Sequence, residues 1–410
     1  MHRTDVVVTG LGAITPLGGD VASTWDALLA GRSGIRGGAL RDQEGTGVPD
    51  TVAGTMAVDP AESLPPVRAR RLDRSQQAAM VAAAEAWADA GAPDVDPDRL
   101  ASVIGTGIGG VRTLLEQDDV LEASGTRRVS PRTIPMLMPN AAAALISIEY
   151  GARAGAYTPV SACSSGAEAI ALGARLIRAG EADVVVVGGT EAAITPLTVA
   201  GFTQAQALSR DTLEPASASR PFAADRSGFV LSEGAAVLVL ENAEHARARH
   251  ARVHAVLAGA GIAADAHHIT APAPDGTGQV SAMRKALAQA GLAPERIGHI
   301  NAHATGTPVG DAAEARAIGE VFGSRATATA PKAALGHLFG AAGAIEALIA
   351  VLSVEHGVVP PTRNLEKSGV DEDIDLDVVT ERRDIPQDAV LSNSFGFGGQ
   401  NVSLVVTTAR

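Results

Sequence analysis

The 410-residue sequence contains a single cysteine. That excludes an internal disulfide framework and any zinc or iron–sulfur site built on several cysteines. Cationic charge is also scarce. Lys and Arg number 33 against 46 Asp and Glu, a formal net charge of −13, and only Lys285, Lys332 and Lys367 are lysines. A nucleic-acid binder would usually carry a basic stripe, so this balance argues against that class. No run reaches the ~18 consecutive apolar residues of a transmembrane helix. The start, Met1-His2-Arg3-Thr4-Asp5-Val6-Val7-Val8, enters a strand-like run without the layout of a signal peptide. A soluble, cytoplasmic chain is expected. Low-complexity tracts and long linkers are missing too. With 46% hydrophobic and 19% charged residues, the composition is that of a globular chain, long enough for two or three domains or one fused unit.

Short β-branched runs alternate with Ala/Leu-rich stretches. Val6–Thr9, Ser102–Ile104, Val184–Val187, Val237–Leu240, Ile297–Asn301 and Val402–Thr407 read as strands. The run Val184–Val187 has no polar alternation, so a sheet covered on both faces is expected. Arg74–Gly91, Ser164–Arg178, Gly278–Ala290, Asp311–Phe322 and Ala341–His356 read as helices, which makes the fold α/β. A strand, a turn, a glycine-rich segment and a helix follow one another near residue 10 and again after residue 255. Two similar halves, 1–253 and 254–410, are therefore expected.

Cys163 lies in Pro159-Val160-Ser161-Ala162-Cys163-Ser164-Ser165-Gly166. A helix follows, whose start Ser164 and Ser165 can cap. A sulfur there would meet the helix dipole and free N–H groups that stabilise a thiolate. A buried, inert thiol is the alternative. His303, in Asn301-Ala302-His303-Ala304-Thr305-Gly306-Thr307, stands at the C-terminal edge of a strand, where α/β sites gather. Thr305 and Thr307 offer hydroxyls, and Asp311 can cap the next helix. A polar turn with a satisfied histidine is the bland reading.

Pro331-Lys332-Ala333-Ala334-Leu335-Gly336-His337 precedes an apolar helix carrying Glu346. A buried lysine needs a partner, and Glu346 is the obvious one. Phe395-Gly396-Phe397-Gly398-Gly399 makes a turn with exposed N–H groups, suited to an oxyanion hole or a mobile aromatic, or simply to a hairpin. Thr9-Gly10-Leu11-Gly12 lacks the spacing of a dinucleotide site, because Pro16 falls where the helix should start. His267-His268 has no partner with metal-ligand spacing and reads as a polar loop.

One Cys and two His in this order resemble the elongating β-ketoacyl synthases of the thiolase-like superfamily, of fatty-acid synthase II type or the type II polyketide relatives. The likeness runs along the whole chain, through Val7-Val8-Thr9-Gly10-Leu11-Gly12, Ser161-Ala162-Cys163, Gly188-Gly189-Thr190-Glu191, Asp225-Arg226-Ser227-Gly228-Phe229, Asn301-Ala302-His303, Lys332, Gly336-His337 and Asn393-Ser394-Phe395-Gly396-Phe397-Gly398-Gly399. The resemblance implies a thiolase-like fold of two βαβαβαββ-type halves, layered α-β-α-β-α. It implies decarboxylative Claisen condensation: Cys163 takes the acyl chain from a carrier-protein thioester. His303 and His337 stabilise the enolate made as malonyl-carrier protein loses CO₂. Lys332 with Glu346 supports the histidines. The N–H groups of Cys163 and Phe397 form an oxyanion hole, and Phe397 is a gating aromatic. Phe202, Thr133, Ile108, Phe395, Thr305 and Thr307 are implied to meet substrate. No metal or organic cofactor is chemically required.

The family usually reads Thr-Lys-Ser-Met where this chain has Pro331-Lys332-Ala333-Ala334, and Gly306 replaces a serine. Arg132-Thr133 stands where fatty-acid members carry bulky aromatics, so Thr133 would enlarge an acyl tunnel lined by that stretch. Carrier proteins are acidic, so a basic docking patch is needed on this acidic chain. Arg68, Arg70, Arg71, Arg127 and Arg128 are the candidates, with a solvated surface as the alternative reading. The resemblance also implies a homodimer or a heterodimer with a chain-length-factor-like subunit. Two competing functions are a non-catalytic partner subunit, which would lack the active cysteine, and a thiolase or starter synthase acting on acyl-coenzyme A. Thiolases use a second cysteine, and this chain has none.

Overall fold

The structure is a computed structural model that describes residues 5–40 and 51–409; Met1–Thr4, where the N-terminal reading begins, lie outside them. Eleven strands form the main sheet: β1 (Val6–Ile14), β2 (Leu100–Gly105), β3 (Gly155–Tyr157), β4 (Val184–Glu191), β5 (Gly234–Asn242), β6 (Ala255–Ala264), β7 (His299–Asn301), β8 (Ala326–Thr329), β9 (Leu376–Val378), β10 (Ala389–Gly396) and β11 (Gln400–Thr408). Five helices matter most: α1 (Arg74–Asp89), α2 (Ser165–Arg178), α3 (Thr277–Ala290), α4 (Pro308–Phe322) and α5 (Ala342–His356).

The strand order is β9-β8-β7-β10-β11-β6-β1-β5-β4-β2-β3. From β1 outward, the neighbours run antiparallel, antiparallel, parallel, parallel; from β6 outward the same four senses recur, and a further parallel pair then adds β9 at the edge. Five strands of each half-sheet therefore share one topology. They meet along β1 and β6 through two residue pairs, Val7 with Val256 and Val8 with Ala255.

The central layer is α2 and α5, which pack on each other and on strands of both halves. Helix α5 is buried on every side through Val354, which is why its sequence shows no polar stripe. With its preceding turn, Phe339–His356 is long and apolar enough to cross a membrane, but 89% of it is buried inside the protein, as befits a core helix. Outer helices α1 and α3 cover β1 and β6. A Cβ on Gly12 would lie 2.0 Å from the Ala82 carbonyl oxygen, and one on Gly261 2.0 Å from that of Ala282. These glycines let helix and strand approach in each half; no phosphate loop is involved.

Candidate active site

The symmetry places the chemistry. Cys163 follows β3 and sits in a 3₁₀ turn, Ala162–Ser164, that leads into α2. His337 follows β8 and leads into α5 through the turn Phe339–Ala341. Each central helix thus carries one reacting side chain at its start. His303 follows β7, as its sequence position suggested. The sulfur and one ring nitrogen from each histidine lie within 4.8 Å of one another, and all three residues are buried.

His337 Nε2 is 3.0 Å from Cys163 Sγ. Burial pushes the Cys163 thiol up to about 11, against the pull of Lys332 and of the N–H groups of Phe397 and Cys163 itself. Burial thus opposes the thiolate expected at the helix start, because dehydration works against the Lys332 charge and the two N–H groups. The expected serine caps are corrected as well. Ser164 Oγ donates to the carbonyls of Ser394 and Gln400, at 3.1 and 2.6 Å, and Ser165 Oγ donates to Ala162 O at 2.7 Å. The serines tie the Cys163 turn to the β10–β11 hairpin and to itself.

That hairpin brings Phe397 to the sulfur. Its turn uses Gly398 and Gly399 at φ +82° and +70°, a region glycine enters freely. At Gly396 a Cβ would come 2.7 Å from Ser161 O, so only glycine allows the hairpin this close to Cys163. Phe397 is 38% exposed, at the mouth of the site.

Lys332 and Glu346 are both buried and form an ion pair. Lys332 Nζ also donates to His303 O at 2.6 Å and contacts His303 Nδ1 at 3.3 Å. An ammonium has no acceptor capacity, so Nδ1 must accept and the His303 proton sits on Nε2. Burial lowers both histidines well below their ordinary range, and the Lys332 charge lowers them further. They are neutral donors at physiological pH. Burial raises Glu346, with Lys332 opposing.

Two carboxylates whose tasks the sequence did not disclose grip the His303 loop. Glu314 accepts the N–H groups of His303 and Ala304 at 2.8 and 2.7 Å, and Asn393 Nδ2 at 3.2 Å. Asp311, expected as a helix cap, lies inside α4 and accepts from Thr305, Gly306 and Phe222 N–H at 3.0, 3.1 and 2.9 Å. Thr307 holds the N-cap position instead, without a side-chain bond. Burial raises Asp311 to about 6 and Glu314 to about 7, against these hydrogen bonds. Their three-residue spacing on one helix face was the available signal.

A cavity of about 270 Å³ opens onto Cys163, His303 and His337, with Thr305, Thr307, Phe395 and Phe397 on its wall. Ile108, Phe202 and Thr133 are not among its lining residues. Thr133 Oγ1 donates to Ser130 O at 2.7 Å, and Phe202 packs on Phe229 and Phe339 behind the site. Arg68 pairs with Glu149 at 2.6 Å, while Arg70, Arg71, Arg127 and Arg128 are exposed. His267-His268 is a loop, as read.

The models of the β-ketoacyl synthase N-terminal and C-terminal domains match residues 3–246 and 254–366. The chain is 42% identical, over 99% of both lengths, to 3-oxoacyl-(acyl-carrier-protein) synthase 2 of Coxiella burnetii. It is 45% identical to the protein of that name from Mycobacterium tuberculosis, over 97% of this chain and 96% of the other. Among solved structures, the ishigamide ketosynthase/chain length factor superposes with a TM-score of 0.88 at 34% identity over the full length of both chains. A type II polyketide ketosynthase, bound to a hexaketide and in complex with its acyl-carrier protein, superposes with a TM-score of 0.91 at 29% identity, again over both full lengths.

Proposed function

Because the chain belongs to the β-ketoacyl synthase family, it performs the decarboxylative condensation of a Cys163-bound acyl group with malonyl-carrier protein in fatty-acid or polyketide elongation, and we propose how its residues divide the work. The Cys163 thiol attacks the acyl thioester. Its proton reaches the departing carrier thiolate by way of solvent, while His337 Nε2–H, 3.0 Å away, donates to the sulfur. The N–H groups of Cys163 and Phe397 hold the oxyanion, and the acyl group remains on sulfur. Malonyl-carrier protein then presents its thioester carbonyl to the Nε2–H groups of His303 and His337. Loss of CO₂ leaves an enolate on that oxygen. The enolate carbon attacks the acyl carbonyl, the Cys163 sulfur leaves as thiolate, and a solvent proton restores the thiol.

The observation that carries this reading is one thiol and two neutral imidazoles within 4.8 Å in a buried cavity. Neutral donors stabilise an enolate oxygen without protonating its carbon. Lys332, with Glu346, sets the His303 tautomer; Thr305, Thr307 and Phe395 line the approach. We assign Ile108, Phe202 and Thr133 to the acyl chain's side of the sulfur, away from the malonyl cavity. Residues 1–253 carry the nucleophile and 254–410 the two donors. The exposed Arg70, Arg71, Arg127 and Arg128, with Arg68 near them, fit an acidic carrier. Strand β3 leaves a sheet edge open, and Val160 just after it is 56% exposed. A second subunit, like or unlike, fits there. The setting is the cytoplasm.

Intact-protein mass tests the cycle. Mixing with acyl-carrier thioesters should add one acyl mass, absent in Cys163→Ala and removed by malonyl-carrier protein. Absence of any adduct on folded protein would overturn the reading in favour of a silent partner subunit. For docking, Arg71→Glu with Arg128→Glu should raise KM about tenfold for the carrier-bound substrate and spare small thioesters; equal effects on both would refute it.

A further inference from the structure

We propose that Phe339 is a positioning residue: its ring, stacked on His337, sets the direction in which that imidazole faces Cys163. The inference rests on His337 being a reacting group. The two histidines are held in different ways. His303 has Lys332 at Nδ1. His337 Nδ1 is buried and has no hydrogen-bond partner among the described residues. The His337 backbone is fixed, its N–H donating to Val230 O at 2.7 Å and its carbonyl accepting Ser232 N–H at 2.9 Å. No hydrogen bond at the far nitrogen fixes the rotation of the ring, yet Nε2 must face Sγ at 3.0 Å.

Packing supplies the constraint. The Phe339 ring lies 4.7 Å from the imidazole, centroid to centroid, with an interplanar angle of 18°. Phe229 closes the side edge-on at 5.4 Å and 88°. Phe202 backs Phe339 at 5.0 Å. Stacked and edge-to-face contacts of this kind are directional, so they select one ring plane. The backbone adds a second observation. Phe339 has φ +49°, the left-handed region, between glycines at 336 and 340. A bulky side chain is unfavourable there, and a glycine would be at ease. The fold holds an aromatic in a strained position, against the one catalytic ring that lacks a hydrogen-bonded anchor. The apolar stack also settles the tautomer: with the proton on Nε2, the orphan at Nδ1 is a lone pair, which costs less than an orphaned N–H. The titratable groups facing His337 are Cys163 and His303, with Lys332 and its partner Glu346 behind them; the opposite side is aromatic.

Phe339 also touches the cavity wall, so the test must separate positioning from contact with the acyl chain. Condensation is measured with a short and a long acyl group in Phe339→Leu, Phe339→Met and Phe339→Tyr. Positioning predicts that Leu and Met lower kcat about tenfold or more, alike for both acyl groups, with KM little changed. Tyr, which keeps the flat face, should restore most of the loss. Alkylation of Cys163 by iodoacetamide at pH 7 should slow in the same order, because the thiolate loses the Nε2–H donor that stabilises it. An unchanged kcat, a loss confined to one acyl length, or alkylation as fast as in the parent would overturn the proposal. If the parent protein formed no condensation product, the functional reading would fail, while the alkylation series would still decide this inference. Near-ultraviolet dichroism checks folding, and the two apolar variants keep the test open should one fail to fold.

Discussion

Lys332 decides which nitrogen of His303 bears the proton, and its own charge needs Glu346. Replacing it as Lys332→Met strands a buried carboxylate. A stability loss of about 3–5 kcal/mol by chemical denaturation is expected, with kcat reduced ~10²–10³-fold as a preorganised donor is lost. Adding Glu346→Leu should recover stability without recovering turnover. The ionisation pattern gives a second expectation. With both histidines neutral and held below their ordinary range, the acid limb of kcat should fall below pH 6.5. Because the thiol is raised to about 11, iodoacetamide trapping of the free enzyme should keep accelerating past pH 9; a plateau by pH 8 would contradict a dehydrated thiol. Cys163, His303 and His337 are legible in the sequence because each stands between a strand and a helix, among small residues that leave room for chemistry. Glu314 and Asp311 are not, since the loop amides they hold are defined only once α4 folds back on that loop.

At the scale of elements, the glycine pairs on β1 and β6 do the same work twice. Gly12→Ala and Gly261→Ala should each destabilise the protein by about 1–3 kcal/mol, measured by urea titration, because each added methyl meets a helix carbonyl rather than a flexible side chain. A negligible cost at either site would argue against rigid helix–strand contact there. All five helices expected from the sequence are present, with ends that differ by up to three residues. Their apolar spacing and terminal glycines carry that information. Strand β6 is legible only as a repeat of the pattern near residue 10, and β10 not at all. In β6, alanine and glycine dilute the β-branched signal, and in β10 the polar Ser392-Asn393-Ser394 is buried, against the usual alternation. The glycines of β1 are legible as a departure from a dinucleotide loop, but their partner helix is not.

The whole molecule is clamped by His254, which lies just before β6. Its Nε2 and Nδ1 meet Asp89 of α1 and Glu355 of α5, both at 2.8 Å. Burial alone would push this imidazole down; the two carboxylates win and raise it to about 9. Its stabilisation is therefore complete below its unfolded value near 6.5 and is lost as pH rises through about 9. Asp89 and Glu355 are dehydrated but held low by His254, so their share is lost as pH falls through the acid range. Stability should peak between about pH 4.5 and 6.5, and His254→Gln should flatten the alkaline decline in a melting-temperature series; an identical slope would exclude the clamp. The two half-sheets share only two residue pairs at their seam, and each central helix brings one member of the Cys163–His337 pair. The reaction centre is thus a vernier for the seating of the halves. A shift between them too small to register in dichroism would part sulfur from nitrogen, so turnover should fade at denaturant concentrations where the far-ultraviolet signal is still native.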